Sequence, residues 1–369
     1  MVAMNRSQPI TSAHGEEGKI ASTADEESRV AASACRLRNI LNVFSADKRS
    51  RPERKWQLPL TTTSRLAAAR GGDSSAAETK LYLAYGSNLC YETFQGRRGI
   101  RPLSQVNVVV PTLRMTFDLP GIPYVEPCFA NSAERDPRSP HSKPEYSSED
   151  YHKDRWKKGM VGVVYEVTPE DYAHIIATEG GGASYKDVLV ECFPLEPGED
   201  EVPELPLSQG FQAHTLFAPM ASPNDPKGGR FARPDPSYAQ PSARYLKLIT
   251  DGAEEHSLPK EYMDYLYGIR PYETRSQRTR MGAFVLSMLW GPFFLFFFAL
   301  TKMYQDKDGK VPAWVANLGN MIFTAVWTSY DSIFKPIFGD GERTDYSKKP
   351  TVGKSKALLR KHDEEWAEK

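Results

Sequence analysis

The order of hydrophobic and polar positions divides the chain into three regions. Residues 1–79 are rich in Ser, Ala, Thr, Arg and Glu and show no period of 2 or 3.6. Residues 80–270 alternate short apolar runs with turn clusters, and residues 281–300 carry no charge at all. Because the first region is too polar to offset the entropy of ordering, we predict a disordered tail over 1–79 and a folded domain over 80–270.

The middle region predicts several strands and few helices. Apolar runs predict strands over 80–85, 105–110, 113–118, 160–167, 188–193 and 210–216. Thr168 as N-cap, Pro169 at N1 and two acidic residues behind them predict a helix that ends near Glu179. Two further helices are predicted over 241–250 and 259–267. We therefore predict an α+β domain with a mainly antiparallel, barrel-like sheet.

Two uncharged runs follow this domain. Residues 281–300 would form a helix of about 30 Å, the thickness of a bilayer core, which predicts a transmembrane helix rather than a buried core helix. Residues 311–330 are less hydrophobic and predict a second transmembrane or interfacial helix. Basic residues flank both runs, so we expect the folded domain to face the cytosol. Residues 339–369 form a charged C-terminal tail.

Composition removes several classes of function. The 369 residues contain 47 Lys and Arg and 47 Asp and Glu, so the formal charge of zero excludes a globally basic nucleic-acid binder. Four cysteines without a C-x-x-C pair exclude a disulfide scaffold and a Cys-rich zinc site. The seven histidines have no metal-ligand spacing. We predict no metal, no cofactor and no nucleic-acid partner.

Two short motifs are candidates for chemistry. Tyr85, Gly86, Ser87 and Asn88 directly follow the first strand, and such a turn offers backbone N–H groups to an anion or a polarised carbonyl. Glu179 ends an apolar helix, where a partly desolvated carboxylate suits proton transfer near neutral pH. Taken singly, an ordinary turn and a solvated helix-end acid are the simpler interpretations.

In combination these motifs are more specific. The segments LYLAYGSNL, GIPYVEPCFANS, GMVGVVYEVTPEDYAHIIATEGGGASY and ARYLKLITDGAEEHSLPKEYMDYL occur in this order. Together they resemble the γ-glutamylcyclotransferase family, in particular its fungal branch associated with gliotoxin-type biosynthesis. The resemblance covers about residues 80–268 and places the tail and the apolar C-terminal runs outside the shared region. It implies a small mixed β-barrel with flanking helices.

The resemblance also implies site residues and a reaction. Tyr85, Gly86, Ser87 and Asn88 would bind the γ-glutamyl group, Glu179 would be the general acid and base, and Tyr185 would line the site. The α-amine would attack its own γ-carbonyl and release 5-oxoproline, without a cofactor. Two alternatives remain open: a catalytically silent, membrane-held binding or scaffold protein, and a γ-glutamyl acyltransferase on the same fold. The sequence leaves open which γ-glutamyl peptide, glutathione conjugate or γ-glutamylamine is used, and the oligomeric state.

Overall fold

The strands of the central domain form a closed five-stranded barrel. The computed structural model describes residues 58–71, 78–138, 153, 155–179, 186–206, 208–218, 232–306 and 310–346. Barrel strands, in chain order, are β1 (Lys80–Ala84), β2 (Ser104–Val110), β5 (Met160–Val167), β6 (Lys186–Pro194) and β7 (Phe211–Phe217). Their order around the barrel is β1-β5-β2-β6-β7, and all neighbours are antiparallel except β1 and β7. The prediction of a mixed barrel with mainly antiparallel strands is confirmed.

Two strands outside the barrel form a separate hairpin. They are β3 (Leu113–Ile122) and β4 (Glu126–Glu134), which pair antiparallel with an irregularity between Thr116 and Leu119. The sequence predicted only the first part of β3 and no strand at β4. Asn131 of β4 is only 1% exposed and donates to Asp118 Oδ1 and to the Ala218 carbonyl. These two acceptors satisfy the buried amide of Asn131, and the polar sequence around this residue gives no sign that it is buried.

Four helices accompany the barrel strands and follow local sequence signals. They are α1 (Thr63–Ala68), α2 (Pro169–Thr178), α3 (Ala243–Glu255) and α4 (Lys260–Tyr267). The predicted N-cap of α2 is confirmed, because the Thr168 hydroxyl accepts from the Asp171 N–H at 3.2 Å. The Ser242 hydroxyl caps α3 in the same way, accepting from the Tyr245 N–H. Both helices present buried apolar side chains to the barrel.

Helix α1 corrects the predicted extent of the N-terminal tail. Leu66 of α1 joins the barrel core, and Arg65 pairs with Glu166 of β5 at 3.2 Å. Leu60 forms a β-bridge with Gln105. Residues 58–71 are therefore part of the folded domain, since burial of Leu66 and the ion pair of Arg65 hold them on the barrel. Residues 1–57 and 72–77 of the predicted tail lie outside the described residues.

The C-terminal region forms a helical hairpin. It consists of α5 (Gln277–Tyr304), α6 (Ala313–Ser329) and, after a π-helical turn, the short α7 (Lys335–Phe338). Aromatic and aliphatic side chains of α5 and α6 pack against each other, among them Phe294, Phe297 and Val326. Among the described helices, only α5 is long and apolar enough to cross a membrane, with a mean hydropathy of 2.1 in its most apolar window.

The tip of the β3–β4 hairpin packs into the base of this helical hairpin. Tyr124 is buried beside Trp327, whose indole N–H donates to the Gly121 carbonyl at 3.2 Å. Arg233 forms ion pairs with Asp331 at 2.6 Å and with Glu342 at 2.9 Å. Residues 339–346 of the predicted charged tail are therefore packed on the domain, because Glu342 is 2% exposed and ion-paired. Residues 347–369 lie outside the described residues.

Candidate active site

A turn after β1 forms one wall of a cleft. The strand ends at Ala84, and Ser87–Leu89 form a single 3-10 turn in which the Leu89 N–H donates to the Gly86 carbonyl at 3.0 Å. The turn packs on α3 at Gly252, where an added Cβ would come within 2.5 Å of Cys90 N and Leu89 C. Only glycine at 252 allows this approach between helix and turn.

The back of the turn is held by two aromatic side chains, the buried Tyr165 and the partly buried His256. His256 Nε2 lies 3.0 Å from the Leu89 carbonyl oxygen and 2.7 Å from the Tyr165 hydroxyl. Burial lowers the pKa of His256 to about 4, partly offset by the Leu89 carbonyl, so the ring is neutral at neutral pH. The turn is therefore fixed from behind by uncharged groups.

Glu179 faces this turn from the end of α2. It is the C-cap residue, and its N–H donates to the Ile175 and Ile176 carbonyls. Asn88 Nδ2 donates to Glu179 Oε1 at 3.2 Å and to the Tyr82 hydroxyl at 2.8 Å. Arg98 Nη1 lies 2.5 Å from the same oxygen of Glu179, whose side chain is only 21% exposed. Glu179 is thus a partly buried, paired carboxylate rather than a solvated helix-end acid.

Between turn and carboxylate lies a small cleft, with an empty volume of about 390 Å³ that includes its opening to solvent. Nine residues line it: Tyr82, Tyr85, Gly86, Ser87, Asn88, Ala130, Glu179, Leu216 and Tyr245. The structure thus brings together five of the six residues that the sequence singled out. The sixth, Tyr185, lies outside the described residues.

Tyrosine hydroxyls supply most of the polar lining besides Glu179 and the turn. Tyr85 donates to the Leu216 carbonyl at 3.2 Å, and Tyr245 accepts from the Ala130 N–H at 3.1 Å. Burial raises the pKa of Tyr82 and of Tyr245, so both remain protonated at neutral pH. Asn88 Oδ1 is a buried acceptor without a partner among the described residues, which favours a ligand that donates hydrogen bonds.

Sequence reasoning missed part of this lining. Four lining residues come from elements that are distant in sequence and meet only in the fold. They are Tyr82 of β1, Ala130 of β4, Leu216 at the end of β7 and Tyr245 of α3. Tyr245 lies in the helix predicted over 241–250, and its ring is buried in the core, but a helix prediction gives no sign of its hydroxyl contact with the Ala130 N–H. Within the described residues, no group of three His, Cys, Asp or Glu side chains is arranged to hold a metal ion.

Comparisons with known proteins extend the sequence resemblance. The model of the AclK C-terminal domain matches residues 276–337, which contain α5, α6 and most of α7. The expectation that the C-terminal apolar runs lie outside the shared region is therefore wrong. A solved structure described as a gamma-glutamyl cyclotransferase is 19% identical, covering 55% of this chain and 96% of its own, with a TM-score of 0.36.

Relatives that match over most of their own length are found among fungal proteins. Gamma-glutamyl cyclotransferase gliK of Aspergillus fumigatus is 31% identical over 272 residues, covering 73% of this chain and 92% of its own length. Gamma-glutamyl cyclotransferase aclK of Aspergillus oryzae is 30% identical over 267 residues, covering 71% of this chain and 89% of its own. The chain therefore belongs to the gamma-glutamyl cyclotransferase family of enzymes.

Proposed function

We propose that the protein converts the γ-glutamyl group of a peptide, a glutathione conjugate or a γ-glutamylamine into 5-oxoproline. The observation that carries this proposal is the contact between Asn88 Nδ2 and Glu179 Oε1 at 3.2 Å. These residues are 91 positions apart, yet they meet in one cleft as a substrate-binding turn and a proton acceptor. This is the pairing that an internal aminolysis of a γ-glutamyl group needs.

The cleft also offers a place for the substrate ammonium. An ammonium has three donors and no acceptor, and Asn88 Oδ1 and the Glu179 carboxylate are acceptors that belong to residues lining the cleft. Tyr85, Gly86, Ser87 and Asn88 would hold the γ-glutamyl group, and Tyr185 would line its outer part. A Cβ on Gly86 would touch Ala130 and the Tyr245 hydroxyl, both cleft residues, so glycine keeps this space open.

The reaction uses only groups of the protein and the substrate. Glu179 takes a proton from the α-ammonium, and the amine nitrogen then forms a bond to the γ-carbonyl carbon. The tetrahedral intermediate expels the former amide nitrogen, which receives the proton back from Glu179. The ring nitrogen loses a second proton as the lactam forms, and the released amine takes it up to leave as an ammonium. The products are 5-oxoproline and this ammonium, with one proton of the substrate ammonium kept on the ring nitrogen and two transferred to the released amine. Since the attack is intramolecular, holding the folded conformer supplies much of the acceleration.

A panel of γ-glutamyl compounds tests this proposal. The purified full chain in detergent is incubated with glutathione, glutathione S-conjugates, γ-glutamyl dipeptides and γ-glutamylamines, and 5-oxoproline is quantified. We expect release from at least one class. Formation of a new γ-glutamyl amide in the presence of an added amine, without 5-oxoproline, would establish the acyltransferase instead. Binding without any turnover would establish the silent binding protein.

The helical hairpin supports a further proposal about location: we propose that α5 and α6 insert together into a lipid bilayer. Large apolar side chains point outward along α5, for example Phe284, Met288 and Phe296, each at least 60% exposed. Only 17% of the most apolar window of α5 is buried within the protein. Water would be a poor solvent for such a surface, and acyl chains a good one.

The hairpin geometry also sets the topology of this proposal. The Arg278 guanidinium at the start of α5 donates to the Pro336 carbonyl at 3.0 Å, which holds both ends of the hairpin together. The barrel and the chain after α7 would therefore lie on the same, cytosolic side of the membrane. Protease added to sealed microsomes should digest the barrel. Full protection would overturn the orientation, and extraction by alkaline carbonate would overturn insertion.

A further inference from the structure

Arg98 contacts the candidate general base from a different element. It follows the π-helical turn Glu92–Arg97, and its N–H donates to the Thr93 carbonyl at 3.0 Å. Its Nη1 lies 2.5 Å from Glu179 Oε1 and donates to the Thr178 hydroxyl at 2.8 Å. The Arg98 and Glu179 side chains are 16% and 21% exposed, so solvent screens this ion pair less than a surface pair. The guanidinium is thus fixed at two points on the end of α2.

Both partners of the Glu179 carboxylate engage the same oxygen. Arg98 and Asn88 each contact Oε1, at 2.5 and 3.2 Å. Within the part of the chain that the structure describes, Oε2 has no hydrogen-bond partner. A carboxylate held through one oxygen has a fixed plane and keeps the other oxygen available for a proton.

The position of Glu179 explains why it needs such an anchor. It is the C-cap of α2, with φ −95° and ψ 36°, so the helix that carries it ends at this residue. A general base must lie within hydrogen-bond reach of the proton it abstracts, and small displacements cost large factors in rate. Arg98 supplies such an anchor from another part of the chain.

We propose that Arg98 is a positioning residue: it holds Oε1 of Glu179 so that Oε2 exchanges the proton with the substrate. This inference rests on the proposed cyclotransferase function. Arg98 touches the cleft only through Glu179, because it is not among the residues that line it. Its removal should therefore reduce the chemical step more than substrate binding.

The first test is chemical rescue of Arg98→Ala, measured as 5-oxoproline release by the full chain. We expect kcat to fall roughly 10- to 100-fold while KM changes by less than about threefold. Arg98→Lys should recover part of the rate, since it keeps the charge but not the planar fork. Guanidinium ion at millimolar concentration should raise the rate of Arg98→Ala, because it can occupy the vacated space beside Glu179. A merely structural loss would not respond to guanidinium.

The neighbouring arginine provides the matched control. Arg97 pairs with Glu92 at 2.9 Å, and these side chains are 44% and 55% exposed. Arg97→Ala removes the same charge one residue away without touching Glu179. Its turnover should stay near wild type and should not respond to guanidinium.

The deciding measurement is a double-mutant cycle with Glu179→Gln. If Arg98 acts through Glu179, Arg98→Ala should change the residual rate of Glu179→Gln by no more than about twofold. A 10- to 100-fold effect of Arg98→Ala in the Glu179→Gln protein would overturn the positioning role of Arg98, and so would a normal kcat for a folded Arg98→Ala protein. Neither result would affect the proposed cyclotransferase function. A wild type that releases no 5-oxoproline from any γ-glutamyl compound would overturn the proposed function and this inference with it.

Discussion

At the scale of single residues, the carboxylate of Glu179 is the group on which the proposed reaction depends. Glu179→Gln keeps the size of the side chain and removes the base, so turnover should fall about 100-fold or more, while KM changes far less. The measurement is 5-oxoproline release on an active substrate. Glu170→Gln, an exposed acid at the other end of α2, is the matched control and should keep normal turnover. Comparable rates for both variants would remove Glu179 from the mechanism.

His256 gives a second prediction at this scale, on stability and pH. Its pKa is lowered from 6.5 to about 4 in the folded protein because the ring is buried. Between these values the unfolded chain binds the extra proton, so stability falls as the pH drops from 6.5 toward 4. The difference between the two pKa values corresponds to a loss of roughly 3 kcal/mol in the free energy of unfolding once the pH is below both values.

The pH dependence of the melting temperature measures this contribution. Between pH 7 and 4.5, the wild type should lose more stability than His256→Asn, which has no proton to gain. His174→Asn, a substitution of an exposed histidine on α2, should leave the wild-type slope unchanged. Equal slopes for wild type and His256→Asn would contradict the prediction.

At the scale of elements, the contact of α3 with the turn after β1 positions the substrate-binding residues. Gly252→Ala would place a methyl group within 2.5 Å of Cys90 N and Leu89 C, both backbone atoms. Helix and turn must then move apart, which should cost about 1–3 kcal/mol of stability and raise KM as Asn88 shifts. Denaturant unfolding and steady-state kinetics measure the two effects. Gly71→Ala, where a Cβ would meet no atom within 4 Å, should change neither quantity.

At the scale of the whole molecule, the proposed insertion of the helical hairpin predicts that charged substitutions on α5 weaken membrane binding. Phe293 and Phe296 on α5 are 51% and 60% exposed. Replacing both by lysine would put charges into acyl chains, at roughly 3 kcal/mol each near the bilayer centre, and should lower the membrane-bound fraction. Sedimentation of the full chain with phospholipid vesicles measures this. An unchanged membrane-bound fraction would contradict insertion, because it would mean that the two lysines do not enter the acyl chains.

The sequence by itself determined the features that depend on neighbouring residues. The cap formed by Thr168 and Pro169 starts α2 where local hydrogen bonding predicts it. The strand over 160–167 is continuous and apolar because it is buried between β1 and β2 in the barrel. The uncharged run over 281–300 lies within one helix, α5, and its length and composition predict that helix without reference to the rest of the chain. In each case the signal lies within one segment of the chain.

Only the tertiary structure decided the features that depend on distant partners. Strand β4 was missed because its pattern does not alternate, and its buried Asn131 is satisfied by Asp118 and Ala218. The tail was predicted too long because Leu66 and Arg65 are ordered by contacts with the barrel: Leu66 packs into its core and Arg65 pairs with Glu166. Arg98 gave no signal, since an arginine in a polar turn becomes meaningful only when the fold places it 2.5 Å from Glu179. Contacts across about 80 residues of chain are made by packing, and no local pattern encodes them.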